Sequence, residues 1–129
     1  MSKKWQMRRY QEGDEEKIVF LMNSVKYGWH SLEYWRWKYK KNPFGFFKNI
    51  FIAEDEGRLV GHSAIIPIGF KFFDRTLLGA QDLDAVTLPE YRLSGIYTNL
   101  ARTNFRKARK DIKFTYGIPG KFIYRGLFK

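Results

Sequence analysis

The chain has 129 residues, enough for one domain whose core stands without staples. Apolar residues make up 44% and aromatics 19%, which excludes a disordered chain, and the absence of cysteine excludes disulfides, thiolate zinc sites and acyl transfer through a cysteine nucleophile. With 24 Lys and Arg against 13 Asp and Glu, the formal charge of +11 calls for a polyanionic partner: nucleic acid, an anionic membrane surface or a phosphate-rich cofactor.

Residues 1–5 are basic and run on to Gln6, Arg8 and Arg9 rather than into an apolar core, so they do not read as a signal peptide. No stretch reaches the ~18 apolar residues of a membrane span, and an intracellular, cytoplasmic setting is expected. Residues 5–10 alternate as a first strand. Gly13 and Asp14 then turn the chain into a helix with Asp14 as cap, Glu15 and Glu16 in the first turn, and Ile18, Leu21, Met22 and Val25 on the buried side. After a break at Gly28, Ser31 caps a second helix on which Leu32, Trp35 and Tyr39 recur at offsets of three and four, ending before Asn42 and Pro43.

Residues 49–54 read as a strand, Asp55, Glu56 and Gly57 as a hairpin loop, and residues 58–73 as a long partner strand interrupted by Pro67. Asp74 and Arg75 turn into a further strand that reaches Leu88. From Gly95 to Lys110 the helical period returns, with Ile96, Tyr97, Leu100, Ala101, Phe105 and Ala108 on one face and Arg102, Arg106, Lys107, Arg109 and Lys110 on the other. Residues 113–116 form a short strand, residues 117–120 a loop, and residues 122–128 an unfinished segment. No repeat, linker or low-complexity tract interrupts this order.

The segment that carries chemistry runs Ala85, Val86, Thr87, Leu88, Pro89, Glu90, Tyr91, Arg92, Leu93, Ser94, Gly95, Ile96, Tyr97. A strand leads through a loop directly into an amphipathic helix. The first helical N–H groups have no partner inside the helix, and the positive end of the dipole faces the loop, so an anion is favoured there. Gly95 lets backbone donors approach a phosphate without an intervening Cβ, and Arg92 adds a planar cation matched to phosphate oxygens. The plain alternative is a strand-to-helix connection with Ser94 as N-cap.

This run resembles motif A of the GNAT N-acetyltransferase superfamily: Gln or Arg, two residues, Gly, one residue, then Gly or Ala. Arg92 and Gly95 stand in register, and Tyr97 replaces the small residue at the last position. Residues 115–120, Thr-Tyr-Gly-Ile-Pro-Gly, resemble the family's fifth strand and the loop after it. The resemblance covers essentially the whole chain. It implies a single domain over residues 1–129 with a mixed α/β (α+β) sheet in the order β-α-α-β-β-β-α-β-α, and it implies that the family's final strands are missing. A sheet edge left open in that way is expected to pair with another copy.

The resemblance further implies acetyl-CoA as cosubstrate, no metal, and transfer of the acetyl group to an amine of a small molecule or peptide. The cofactor site would draw on Val86, Leu88, Arg92, Leu93, Ser94, Gly95, Ile96 and Tyr97, with the pantetheine arm between splayed fourth and fifth strands. Tyr124 falls where many members place the tyrosine that protonates the departing thiolate, and it reads equally well as a core aromatic. Asp82 and Asp84, spaced to project from one face of the fourth strand, are the base candidates; both also read as solvated strand residues. Tyr27, Trp29, Tyr34 and Trp37 would line the acceptor pocket, whereas Trp35 has the spacing of a core residue. His30 and His62 lack metal-ligand spacing.

Two other readings stand beside this one. Trp35, Arg36, Trp37, Lys38, Tyr39, Lys40 and Lys41 interleave aromatic and basic groups as a nucleic-acid surface does, although no named nucleic-acid motif is present. A non-catalytic acetyl-CoA-binding remnant would bind cofactor and transfer nothing.

Overall fold

The computed structural model describes residues 4–26, 30–43 and 49–117. Five strands, β1 (Gln6–Arg9), β2 (Ile50–Asp55), β3 (Arg58–Phe72), β4 (Arg75–Thr87) and β5 (Thr115–Gly117), form one sheet in sequence order. The first four are antiparallel neighbours, and β5 lies parallel to β4. Three helices complete the described fold: α1 (Glu15–Ser24), α2 (Leu32–Trp35) and α3 (Ile96–Ala108). None of them is long and apolar enough to cross a membrane.

A single pair of neighbouring residues shows which helix covers which face. A Cβ built on Gly61 would point at Ile96 of α3, while the next residue, His62, sets its ring edge-on to Tyr39, just beyond α2. Successive residues of a strand point to opposite faces. Thus α3 covers one side of the sheet and α2 the other, with α1 packed on α2 and β3. The main core gathers Ile18, Leu21 and Met22 of α1, Trp35, Tyr39, Ile50, Ile52 and Val60, together with Ile96 and Leu100 of α3.

The N-terminal elements form where their sequence places them, by partly different contacts. Ser31 caps α2 as its position implies, its Oγ accepting from the Tyr34 N–H at 3.1 Å. Asp14 occupies the α1 cap position without capping: its carboxylate is taken by the Arg8 guanidinium at 2.7 and 2.9 Å and by the Gln11 N–H at 2.8 Å. Glu15 turns inward instead and accepts from the Tyr10 hydroxyl at 2.8 Å and the Gly13 N–H at 2.7 Å. After Trp35 the helix widens into a π-helical turn, Arg36–Lys40, closed by the Lys41 N–H on the Arg36 carbonyl at 3.3 Å. The extra residue per turn keeps Trp35 and Tyr39 buried and aims Lys38 at β4.

Three sequence expectations are corrected here. Pro67 does not interrupt β3; it pairs with Ala80 of β4, at a level beyond Ala64, the last β3 residue matched to β2, so its missing N–H costs no ladder bond there. The sheet side of α3 is Ile96, Leu100, Asn104 and Ala108, every fourth residue, and Phe105 is about half exposed. Asp82 and Asp84 do not share a face. Ala64 pairs with Leu83 and His62 with Val86, which leaves Asp84 and Ala85 together opposite Ser63: a β-bulge, with Asp84 in the left-handed region at φ 55°. The extra residue breaks the alternation, so Asp82 meets Tyr97 of α3 while Asp84 meets Lys38 and Tyr39 on the other side.

Candidate active site

β4 delivers the chain to α3 through a loop that is rigidly tied at its start. The Leu88 N–H bonds to the Val60 carbonyl at 2.9 Å, and a single 3₁₀ turn, Pro89–Tyr91, follows. The buried Tyr91 anchors that turn by donating its hydroxyl to Asp55 at 2.6 Å. Ser94 then donates its Oγ to the Tyr91 carbonyl at 2.5 Å and so does not cap the helix. The cap position belongs to Gly95, at φ 86°, whose carbonyl accepts from the backbone and side chain of Asn99 at 3.1 and 2.7 Å. A left-handed residue there favours glycine.

Leu93 is also left-handed, at φ 67°, and its side chain is wholly exposed. Among the described residues, the N–H groups of residues 93–98 meet no acceptor. Alternating left-handed and ordinary residues are the backbone pattern of anion-binding nests, and here left-handed Leu93 and Gly95 stand just ahead of the positive end of the thirteen-residue α3. Arg92 stands exposed at its rim, its Nε 3.4 Å from the Thr87 carbonyl.

The expected cofactor residues therefore divide by part. Val86, Leu88 and Ile96 place their side chains in the core, so only their backbones are available to a ligand. Arg92, Leu93, Ser94 and Gly95 are exposed. Tyr97 reaches back to β4, with its hydroxyl 3.5 Å from Asp82. Burial, then the neighbouring Asp82 carboxylate, raise the Tyr97 phenol above its ordinary range.

The two aspartates differ in electrostatics as well as direction. Burial raises the Asp82 carboxyl above its usual range, offset only in part by Tyr97, and its buried Oδ1 meets no partner among the described residues. Asp82 also pairs with Gly117, the last β4–β5 pairing in the described residues. For Asp84, burial pushes the same way, but the Lys38 charge and the hydrogen bonds from Lys38 and Tyr39 outweigh it and hold the carboxyl below its usual range. Lys38 Nζ lies 2.8 Å from Asp84 Oδ2, and the Tyr39 hydroxyl donates to the same oxygen.

On the α2 side, Tyr34 and Trp37 stack at 5.9 Å and are both exposed, with Lys38 Nζ 5.6 Å from the Tyr34 ring. Trp35 is core, as its spacing implies. Tyr27, Trp29 and Tyr124 lie outside the described residues. Sequence reading gave Lys38 and Tyr39 a place only in the basic and aromatic run, gave His62 no ligand role, and did not single out Asn104. For Asn104 a signal existed, because it continues the i, i+4 row of Ile96 and Leu100; for His62 none did.

The sequence matches the model of the acetyltransferase (GNAT) domain over residues 6–127. Comparison with curated proteins finds no significant sequence match. Among solved structures, the fold is similar to glucosamine-6-phosphate N-acetyltransferase from Arabidopsis thaliana, with a TM-score of 0.73 at 12% identity over 98% of this chain and 92% of that one. It is also similar to an acetyltransferase from Trypanosoma brucei, TM-score 0.74 at 18% identity, covering 96% and 91% of the two chains. A predicted acetyltransferase with acetyl-CoA from Clostridium acetobutylicum gives a TM-score of 0.72 at 18% identity, covering 92% and 83%. With residues 6–127 matched by that domain model, the chain belongs to the GNAT acetyltransferase domain family.

Proposed function

We propose that the chain transfers an acetyl group from acetyl-CoA to an amine by direct attack, with the diphosphate of coenzyme A held in the nest of residues 93–98 and backed by Arg92. The observation that carries this reading is the run of N–H groups at the start of a long helix that meet no acceptor among the described residues. Acetyl-CoA in the similar Clostridium acetobutylicum structure supports the choice of ligand. The exposed Tyr34–Trp37 stack offers the acceptor an aromatic surface suited to an apolar or cationic group.

In the reaction the amine nitrogen bonds to the thioester carbonyl carbon, the C–S bond breaks, and coenzyme A leaves as a thiolate. Backbone donors of β4 polarise the carbonyl, and most of the acceleration comes from placing the two reactants together. The absence of cysteine favours this direct route over an acyl-enzyme. Asp82, whose raised proton affinity suits a base, takes the amine proton by way of water, because it faces α3 while the aromatic pair faces away. Tyr124 returns a proton to the thiolate.

Calorimetric titration with acetyl-CoA tests the reading. Arg92→Ala and Gly95→Val are expected to weaken binding by roughly tenfold or more, since each disturbs a charge-assisted phosphate contact or the nest itself. Unchanged affinity in both variants refutes the assigned loop.

A further inference from the structure

The bulge at Asp84 is held by side chains that the transfer reaction itself does not use. Two strand residues facing one leave carbonyls outside the ladder, and a buried carbonyl without a partner is costly. Side chains from opposite faces of the sheet reach the carbonyls at this bulge. His62 lies with Nδ1 2.8 Å from the Asp84 carbonyl, and since the carbonyl only accepts, Nδ1 carries the proton. Burial lowers the proton affinity of this ring, which agrees with a neutral donor. From the α3 side, the fully buried Asn104 donates Nδ2 to the Ser63 carbonyl at 3.0 Å. The Asp84 carboxylate is gripped in turn by Lys38 at 2.8 Å and by the Tyr39 hydroxyl, neighbouring residues of the π-helical turn.

A non-glycine residue in the left-handed region is strained, and such strain persists only where surrounding contacts over-determine it. Lys38, Tyr39, His62 and Asn104 are those contacts. They hold β4 just where its described pairing with β5 has ended at Asp82 and before the strand enters the phosphate loop. Lys38 belongs at the same time to the aromatic surface through Tyr34.

We propose that Lys38 and Tyr39 are positioning residues: by clamping Asp84 they fix the bulge of β4, and so aim the strand's backbone donors at the acetyl carbonyl from the acceptor side. The proposal rests on the acetyl-CoA reading given above. It assigns Asp84 a fixed, ionised role in place of base catalysis.

The test uses Tyr39→Phe and Lys38→Met, which keep most of each side chain's volume, with Lys38→Arg as the conservative rescue; Asp84→Asn is avoided as the variant most prone to unfold. Hydrogen exchange is measured across residues 83–87, and affinities for acetyl-CoA and for coenzyme A are measured separately. Faster exchange in that segment, with acetyl-CoA affinity falling roughly tenfold while coenzyme A affinity stays within about twofold, and recovery in Lys38→Arg, is the expected result. Equal loss for both ligands alongside a lowered Tm marks a merely structural contact and overturns the proposal, as does unchanged exchange. Failure of the unmodified protein to bind either ligand overturns the acetyl-CoA reading and this proposal with it.

Discussion

Gly61→Ala connects packing to cofactor binding through one methyl group. A Cβ at residue 61 lies 2.5 Å from Ile96 Cγ2 and 3.4 Å from the Ala53 Cβ. Carbon atoms in good contact stand about 3.5–4.0 Å apart, so roughly 1 Å of movement is required. Ile96 is almost fully buried and opens α3, which leaves two responses: it abandons its rotamer inside the core, or the helix start lifts from the sheet. Overpacking of this kind costs about 1–3 kcal/mol, a fall in Tm on the order of 5–10 °C for a domain of this size. Because the N–H groups of residues 93–98 ride on the same helix start, acetyl-CoA affinity is expected to fall with stability. Thermal unfolding followed by circular dichroism reads the first effect and calorimetric titration the second. Adding Ile96→Ala removes the clashing methyl, so the double variant should be less destabilised than the two single losses together. Strict additivity, or a Gly61→Ala protein with unaltered Tm, refutes the packing argument.

Gly95→Ala forces a Cβ into the left-handed region at φ 86° and sets it 3.3 Å from Asn99 Nδ2, so a loss of about 1–2 kcal/mol is expected by urea unfolding; no loss would show that the helix start re-forms freely. Asp82→Asn removes a partly buried charge with raised proton affinity, and the variant should fold at least as stably at neutral pH while acetyl transfer falls. In the parent, the rate should rise with pH through a value above the ordinary carboxylate range; a profile identical in the variant would deny Asp82 the role of base. Acid unfolding follows from the carboxylates held low. Burial opposes ionisation of Glu15, but its own N–H, the Tyr10 hydroxyl, the Gly13 N–H and Lys40 bring its pKa down to about 2, and Asp14 and Asp84 are also lowered. A group depressed in the folded state stabilises fully above its unfolded pKa, and that stability is lost as pH falls toward the folded one. Stability should hold above about pH 5 and decline steeply below about pH 4, and Glu15→Gln should be weaker at neutral pH and flatter in acid; an unchanged slope would exclude Glu15.

Much of this molecule is legible in the order of its residues, because the relevant interactions are local. Helical spacing placed Trp35 in the core in one row with Tyr39, Ser31 lies one residue ahead of the helix it caps, and Glu56–Gly57 turns the hairpin between β2 and β3. Arg92 and Gly95 sit three apart between a strand and a helix, and the left-handed residues Leu93 and Gly95 fall within the same short stretch. The base candidates were not legible in the same way. Their shared face follows from perfect alternation, and alternation fails at a bulge, which is a mismatch of register between β3 and β4 and has no signature within β4 alone. Only the packed fold separates Asp82 from Asp84, brings Lys38 across 46 positions to the latter, and sets a buried asparagine of α3 against the Ser63 carbonyl. Residue types and short spacings thus determined the elements and the loop from β4 to α3, whereas the different environments of the two carboxylates were decided by desolvation and partners that exist only once both faces of the sheet are covered.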